Sequence, residues 1–315
     1  MYNVAPFIRR CLTSLQNQTW EDFQVIVIDD GSTDESPTIA KEFCNSDPRF
    51  ALYCQKNSGQ SAARNFGFSL ADRDFTMFLD SDDWLDESAL AGLVETAQKE
   101  SADLVQCRLY YTSSDAPRQE ARPIILQRAT GRKSFFVVNS SPCNKLFRSE
   151  FLRKAGLCFP KIFHEDEGEI YRLLIYNPKV VDIGNAYYFY WKHPGSTTGI
   201  RVNSRSLDYF KVLDIWRRLE LEHPQLSQEF QFLQWRLLNK CVSVWSDITE
   251  DWARTGLEQA LAQQKNLQSV AEENAYVFLL TQGDRERELA LESLRSSKTY
   301  RLGRVLVRLA TLGRG

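Results

Sequence analysis

The chain has 315 residues, 43% of them hydrophobic and 25% charged, with a net charge of -2. This is the balance of an ordinary soluble protein of one large or two moderate domains, long enough to bury a real core. Near-neutrality excludes a whole-surface attraction to nucleic acid, so no nucleic-acid partner is expected. No secretory apolar region opens the chain and no run of roughly 18 apolar residues occurs, so neither export nor a spanning helix is indicated. The seven cysteines are scattered and form no C-x-x-C pair, which suits reduced thiols in a cytosolic protein. Zinc is disfavoured, because His164, His193 and His223 lie far apart and near no cysteine pair.

Residues 23–28, Phe-Gln-Val-Ile-Val-Ile, form a β-branched apolar run that stops at Asp29-Asp30-Gly31-Ser32-Thr33-Asp34, as a buried strand entering a loop does. Asp34-Glu35-Ser36-Pro37 then starts a helix through Phe43, with capping residues and a proline suited to the first turn. A second strand fits Phe50 to Cys54, a helix fits Ser61 to Leu70, and a third strand fits Phe75 to Leu79. Strand, helix, strand, helix, strand is the pattern of a parallel sheet.

Ligands of open α/β sheets sit beyond the carboxyl ends of strands, and both acidic clusters fall there. The second cluster, Asp80-Ser81-Asp82-Asp83, packs three carboxylates into four residues. Like charges so close raise each other's pKa unless a cation neutralises them, and a hard divalent ion is the usual partner. A solvated turn leading to a helix cap is the alternative. Between the clusters, Asn57-Ser58-Gly59-Gln60-Ser61-Ala62-Ala63-Arg64-Asn65-Phe66-Gly67 runs a glycine loop into a helix carrying Arg64. That arrangement suits an anion such as a diphosphate, unless Gly59 serves only the turn and Arg64 is solvated.

Taken in order, the Asp29–Asp34 block, the Asn57–Gly67 block and Phe78-Leu79-Asp80-Ser81-Asp82-Asp83-Trp84 resemble the inverting family 2 glycosyltransferases of bacterial polysaccharide type. The likeness spans residues 2–200. It implies an α/β fold of the glycosyltransferase A type, a nucleotide-binding Rossmann-like mixed sheet, here with a helical C-terminal extension. It also implies a nucleoside-diphosphate sugar donor, a UDP-sugar first. By similarity Asn3, Asp29, Asp30, Arg64, Asp80 and Ser81 would meet the donor, Asp29 and Asp30 at its base and ribose. Asp80 and Asp82 match the family's D-x-D element for Mg²⁺ or Mn²⁺, with Asp82 the direct ligand. Asp83 and Trp84 fit as a second carboxylate and a packing or sugar-stacking ring.

Phe163-His164-Glu165-Asp166-Glu167-Gly168-Glu169 precedes the apolar stretch Ile170 to Tyr176, and acids at a helix start are ordinarily dipole partners. Glu165-Asp166 also stands where the resembled family carries its E-D element, which implies Asp166 as general base. Glu165 and His164 would orient it or contact sugar, and Glu167 is the alternative base. The aromatic strand Tyr187 to Trp191 leads to Lys192 and His193, which could approach the diphosphate, and then to a Gly195-Ser196 loop. The family opens with a strand ending in P-x-Y-N, whereas this chain begins Met1-Tyr2-Asn3, so the first strand is expected to be missing and the start misplaced or the chain a fragment.

The expected domains are a catalytic domain over residues 1–204, a helical extension over 205–294 with helices near 207–221 and 230–244, and a basic amphipathic tail over 295–315. In the tail Leu302, Val305, Leu306, Leu309 and Leu312 keep helical spacing, and Arg301, Arg304 and Arg308 form another stripe. Such a helix can lie on an anionic membrane surface, or it can dock on its own protein. The expected function is transfer of a sugar to a glycan or lipid-linked acceptor, in the cytoplasm or on the inner face of the cell membrane. A non-catalytic nucleotide- or glycan-binding module and a sugar nucleotidyltransferase are the alternatives. The second would need a basic glycine-rich loop after its first strand, and none is visible.

Overall fold

The structure, a computed structural model, describes residues 1–112, 127–193 and 208–243. Two compact units divide the chain, Met1–Ile200 and Arg201–Gly315.

The first unit opens with α1 (Ala5–Gln16), which has Pro6 in its first turn and buries Ile8, Cys11 and Leu12 at the spacing of one helix face. Next come β1 (Val25–Asp29), α2 (Ser36–Ser46) and β2 (Phe50–Cys54). β1 and β2 pair in parallel, with Val25 opposite Phe50 and Asp29 opposite Cys54. Ile8, Cys11, Leu12, Val27, Ala40, Phe43 and Phe50 form the core between these elements. Each large member contributes about 1.5–3 kcal/mol by leaving water. α3 (Gln60–Leu70) packs on β1, and Gly67 lets it approach, since a Cβ there would lie 3.4 Å from Ile28.

The third strand departs from the expected parallel sheet. β3 (Phe75–Met77) is shorter than the run Phe75 to Leu79 and pairs antiparallel with β7 (Lys145–Arg148), Phe75 opposite Arg148. It belongs to a six-stranded mixed sheet of order β3-β7-β5-β8-β4 with β6 also on β8, where β4 is Trp84–Leu85, β5 Leu104–Thr112, β6 Gln127–Ala129 and β8 Val180–Trp191. β5 and β8 run parallel and the other pairings are antiparallel. β1 and β2 form a separate two-stranded sheet. On the second edge of β1, Met1 answers two backbone groups: its amine donates to Ile28 O at 2.6 Å, and Asp30 N–H donates to Met1 O at 2.9 Å.

α4 (Ala89–Glu100) and α6 (Ser149–Lys154) pack on this sheet, and the unit also holds the single turn α5 (Ser134–Val137) and α7 (Glu165–Leu173). Six described cysteines carry free thiols; Cys11, Cys107 and Cys143 are buried, whereas Cys54 and Cys158 are exposed.

The second unit shows α8 (Asp208–Glu222) and α9 (Ser227–Ser243) packed as a hairpin. Tyr209, Val212, Leu213 and Trp216 are buried on α8, and Phe230, Leu233 and Leu237 on α9. Glu220 clasps the turn by accepting from Ser227, Gln231 and Gln234. No helix among the described residues is long and apolar enough to cross a membrane. The tail at 295–315 and the Gly195-Ser196 loop lie outside the described residues.

Candidate active site

β1 delivers Asp29 and Asp30 to its carboxyl end, each 4% exposed. Asp29 Oδ1 accepts the Ser32 N–H at 3.1 Å. Asp30 accepts three hydrogen bonds, from the Gln55 side chain (2.7 Å), Ser58 N–H (2.8 Å) and Gly59 N–H (2.8 Å). Its carboxylate thus ties the strand end to the glycine loop. Gly31, at φ 76°, needs its missing side chain, because a Cβ would sit 3.0 Å from Asn57 N. Asn3 adopts φ 51°, which asparagine tolerates, and its Oδ1 accepts the Thr33 N–H at 2.8 Å. Asn3, Asp29 and Asp30 therefore meet around one loop.

The acidic turn after β3 separates its three carboxylates by environment. Asp80 and Asp82 keep side-chain exposures of 40% and 27%. Asp83 is 1% exposed and accepts from Tyr188 Oη at 2.6 Å and from Trp191 N–H at 2.8 Å. Burial, then the charges of Asp80 and Asp82, push its pKa up to about 8. Burial and Asp80 also raise Asp82, while His193 draws it back through Nε2, 3.1 Å from Asp82 Oδ2. Ser81 lies part-buried in the same turn. Trp84 is packed in place: it stacks on Phe189 at 5.3 Å, and the Arg10 guanidinium lies 3.8 Å over it. Of the two residues beyond the aromatic strand, His193 reaches the acidic turn, whereas Lys192 lies over Tyr111 at 4.8 Å.

Arg64 joins this turn to the acids of α7. Its Nη2 lies 2.7 Å from Asp80 Oδ1, and its Nη1 donates to Glu165 Oε1. Glu165 is 2% exposed and also accepts from Gln60 Nε2. Asp166 is the less committed neighbour. Its Oδ1 accepts the Glu167 N–H at 2.9 Å, and among the described residues its Oδ2 accepts no hydrogen bond. Burial, then the charges of Glu165 and Glu167, push Asp166 up to about 7, against the pull of Arg64. A carboxylate near neutrality can both take and release a proton, as a general base must.

Asp80 and Asp82 fit a hard divalent cation. Both present oxygen donors at a part-exposed strand end, which is the donor chemistry Mg²⁺ and Mn²⁺ prefer. Among the described residues no three His, Cys, Asp or Glu side chains are gathered as a cage. An ion there would complete its shell with substrate phosphate and water, which is how Mg²⁺ is usually bound.

Residues 1–156 match the family described as glycosyl transferase family 2. Residues 1–156 thus form a glycosyl transferase family 2 domain. It is 32% identical to EpsH of Bacillus subtilis over 207 residues, 62% of this chain and 60% of the relative. The uncharacterized glycosyltransferase EpsJ of the same organism is 31% identical over 215 residues, 64% of this chain and 61% of that protein. The chain thus spans about three-fifths of the length of these curated relatives. S. aureus TarS 1-349, solved in complex with UDP-GlcNAc, superposes with a TM-score of 0.69 at 20% identity, covering 99% of this chain and 90% of that one. That likeness establishes the glycosyltransferase A-type fold.

Two contributors to this site, and a buried lysine that feels the charge of Asp166, escaped sequence reasoning. Gln60 lay inside the glycine-loop motif but carried no charge to mark it. Tyr188 lay in the aromatic strand, where core packing is the ordinary expectation. Lys145 had no signal at all. It is fully buried, with its Nζ donating to Asn139 Oδ1 (2.8 Å), Ser141 O (2.5 Å) and Asn144 Oδ1 (2.9 Å), and burial pushes its pKa down to about 7.

Proposed function

We propose that the protein is an inverting glycosyltransferase that moves a sugar from a nucleoside-diphosphate sugar, a UDP-sugar first, to a hydroxyl of a glycan or lipid-linked acceptor. One observation carries the reading: a single guanidinium, that of Arg64, contacts both an acid of the D-x-D turn and the carboxylate adjoining the candidate base. Charge neutralisation at the leaving group and proton removal at the acceptor are needed in the same instant, and Arg64 links the residues for both.

In this mechanism Asn3, Asp29, Asp30 and Ser81 border the nucleoside side of the donor. Asp80 and Asp82 would hold Mg²⁺ or Mn²⁺, which when bound supplies positive charge to the departing diphosphate. Asp166 takes the acceptor hydroxyl proton as the oxygen attacks the anomeric carbon opposite the leaving group, which inverts that carbon. Its position near neutrality supports the role. Arg64 holds the Glu165 carboxylate beside it.

A thermal-shift screen of UDP, GDP, ADP and TDP with and without Mn²⁺ tests the donor half. Stabilisation by one base, dependent on Mn²⁺ and lost in Asp82→Asn, is expected; equal response to all four or indifference to Mn²⁺ would sink it. The anomeric configuration of the product, read by NMR, tests inversion. In the same reading residues 1–204 form the catalytic domain and 205–294 the extension, and the enzyme works in the cytoplasm with 295–315 on the inner membrane face. The support is the tail's arginine stripe. Equal liposome flotation with and without 295–315 would count against that placement.

A further inference from the structure

Glu165 is held from a helix a hundred residues away in sequence. Gln60 and Arg64, one turn apart on α3, both donate to its Oε1. The same helix grips the segment leading into α7 at two further points. Ser61 Oγ donates to Pro160 O at 2.8 Å. Asn65 exchanges two hydrogen bonds with Phe159, donating to its carbonyl at 3.0 Å and accepting its N–H at 2.9 Å. The chain then enters α7 through His164 at φ 66°, a left-handed conformation that a non-glycine residue keeps only when its surroundings impose it.

Within this grip Gln60 and Arg64 differ. Arg64 is shared, since its other nitrogen is engaged by Asp80. The Gln60 amide adds no charge, so it can hold Glu165 without competing for the acids of the D-x-D turn. Asp166 follows Glu165 directly, and its only hydrogen bond among the described residues is to the backbone of its own helix. Its placement is therefore inherited from Glu165. We propose that Gln60 is a positioning residue: by fixing Glu165 from α3, it sets where the Asp166 carboxylate stands relative to Asp80 and Asp82. The proposal rests on Asp166 acting as the base, as proposed above.

The test uses the full chain with Gln60→Leu, which removes the donor at similar volume, and the swap Gln60→Glu with Glu165→Gln, which restores a donor–acceptor pair in the reverse sense. UDP-N-acetylglucosamine turnover with Mn²⁺ and the ¹³C-carboxyl titration of Asp166, assigned with Asp166→Asn, are measured on each. In Gln60→Leu, kcat falls by about a hundredfold, the scale set by an ångström of misplacement, while donor KM stays within about twofold. The Asp166 titration moves in the same variant, and the swap returns both readouts toward wild type. A wild-type kcat or an unmoved Asp166 titration in Gln60→Leu overturns the proposal; should that variant not fold, a swap that folds but leaves the titration displaced overturns it too. A wild-type chain that turns over no nucleotide sugar, yet whose Asp166 titration responds to Gln60, sinks the catalytic reading and leaves the positioning intact.

Discussion

The Tyr188 hydroxyl donates to Asp83 Oδ2 across 2.6 Å and at the same time accepts the Asp80 N–H at 3.3 Å. One phenol thus closes both ends of the acidic turn. Tyr188→Phe leaves the buried Asp83 carboxylate with the Trp191 N–H as its remaining donor. A buried acceptor stripped of a partner costs about 1–3 kcal/mol, so chemical denaturation should show a loss of that size. An unchanged unfolding midpoint would mean that the hydroxyl contributes nothing to the turn.

The same carboxyl makes stability depend on pH in a definite direction. With a pKa near 8 in the fold and about 3.9 in an unfolded chain, Asp83 binds its proton more tightly when folded. Its contribution is fully present below the unfolded value and is lost as pH rises through about 8. In metal-free buffer Tm should therefore decline between about pH 6 and about pH 8.5, and Asp83→Asn should flatten that decline. An equally steep decline in the variant would assign the slope to other groups.

Arg64 answers two carboxylates from a side chain that is 11% exposed. Arg64→Met removes the shared counterion of the buried Glu165 and should destabilise the fold by about 3–5 kcal/mol at neutral pH. Arg64→Lys keeps the charge but not the fork, so it can meet Asp80 or Glu165 and not both. It should hold more stability than Arg64→Met while still losing turnover. Equal denaturation midpoints for the two variants would contradict the bridge.

Asp30 supports the glycine loop through three accepted hydrogen bonds. In Asp30→Asn one oxygen becomes an amide that faces N–H groups, which should cost about 1–3 kcal/mol and loosen residues 57–59. Hydrogen exchange at Ser58 and Gly59 would report the loosening. Unaltered protection there would show that the loop holds itself.

The strand-end acids were legible because each follows a β-branched or aromatic apolar run, and such a run stopping at Asp is a local signal. Phe50–Cys54 was readable for the same reason, since its boundaries depend on its own residues. The pairing of β3 was not, because its partner Lys145–Arg148 is a four-residue strand some seventy positions away, too short to announce itself. Trp84 was readable as an aromatic next to acids but not as the layer between Phe189 and Arg10, since both partners come from distant elements. Asp166 could be singled out only through the family resemblance. What sets it apart from Glu165 is which of the two α3 reaches, and that is a tertiary fact.

Asp166 and Glu165 are adjacent acids with opposite commitments, and kinetics should separate them. Burial and the neighbouring carboxylates hold Asp166 at about 7, so below that pH it carries the proton it would need to accept. Transfer should therefore rise with pH, kcat/KM following a single ionisation near 7 and levelling above it, since the base acts in its deprotonated form. Asp166→Asn keeps the shape of the side chain and removes the base. It should lower kcat by about 10²–10⁴-fold or more while nucleoside-diphosphate binding persists. Glu165→Gln should behave differently: with one negative charge gone beside it, Asp166 becomes a stronger acid, and the rising limb moves to lower pH. A profile that stays in place in Glu165→Gln, or an Asp166→Asn enzyme with wild-type turnover, would assign the proton to another group, with Glu167 the next to examine.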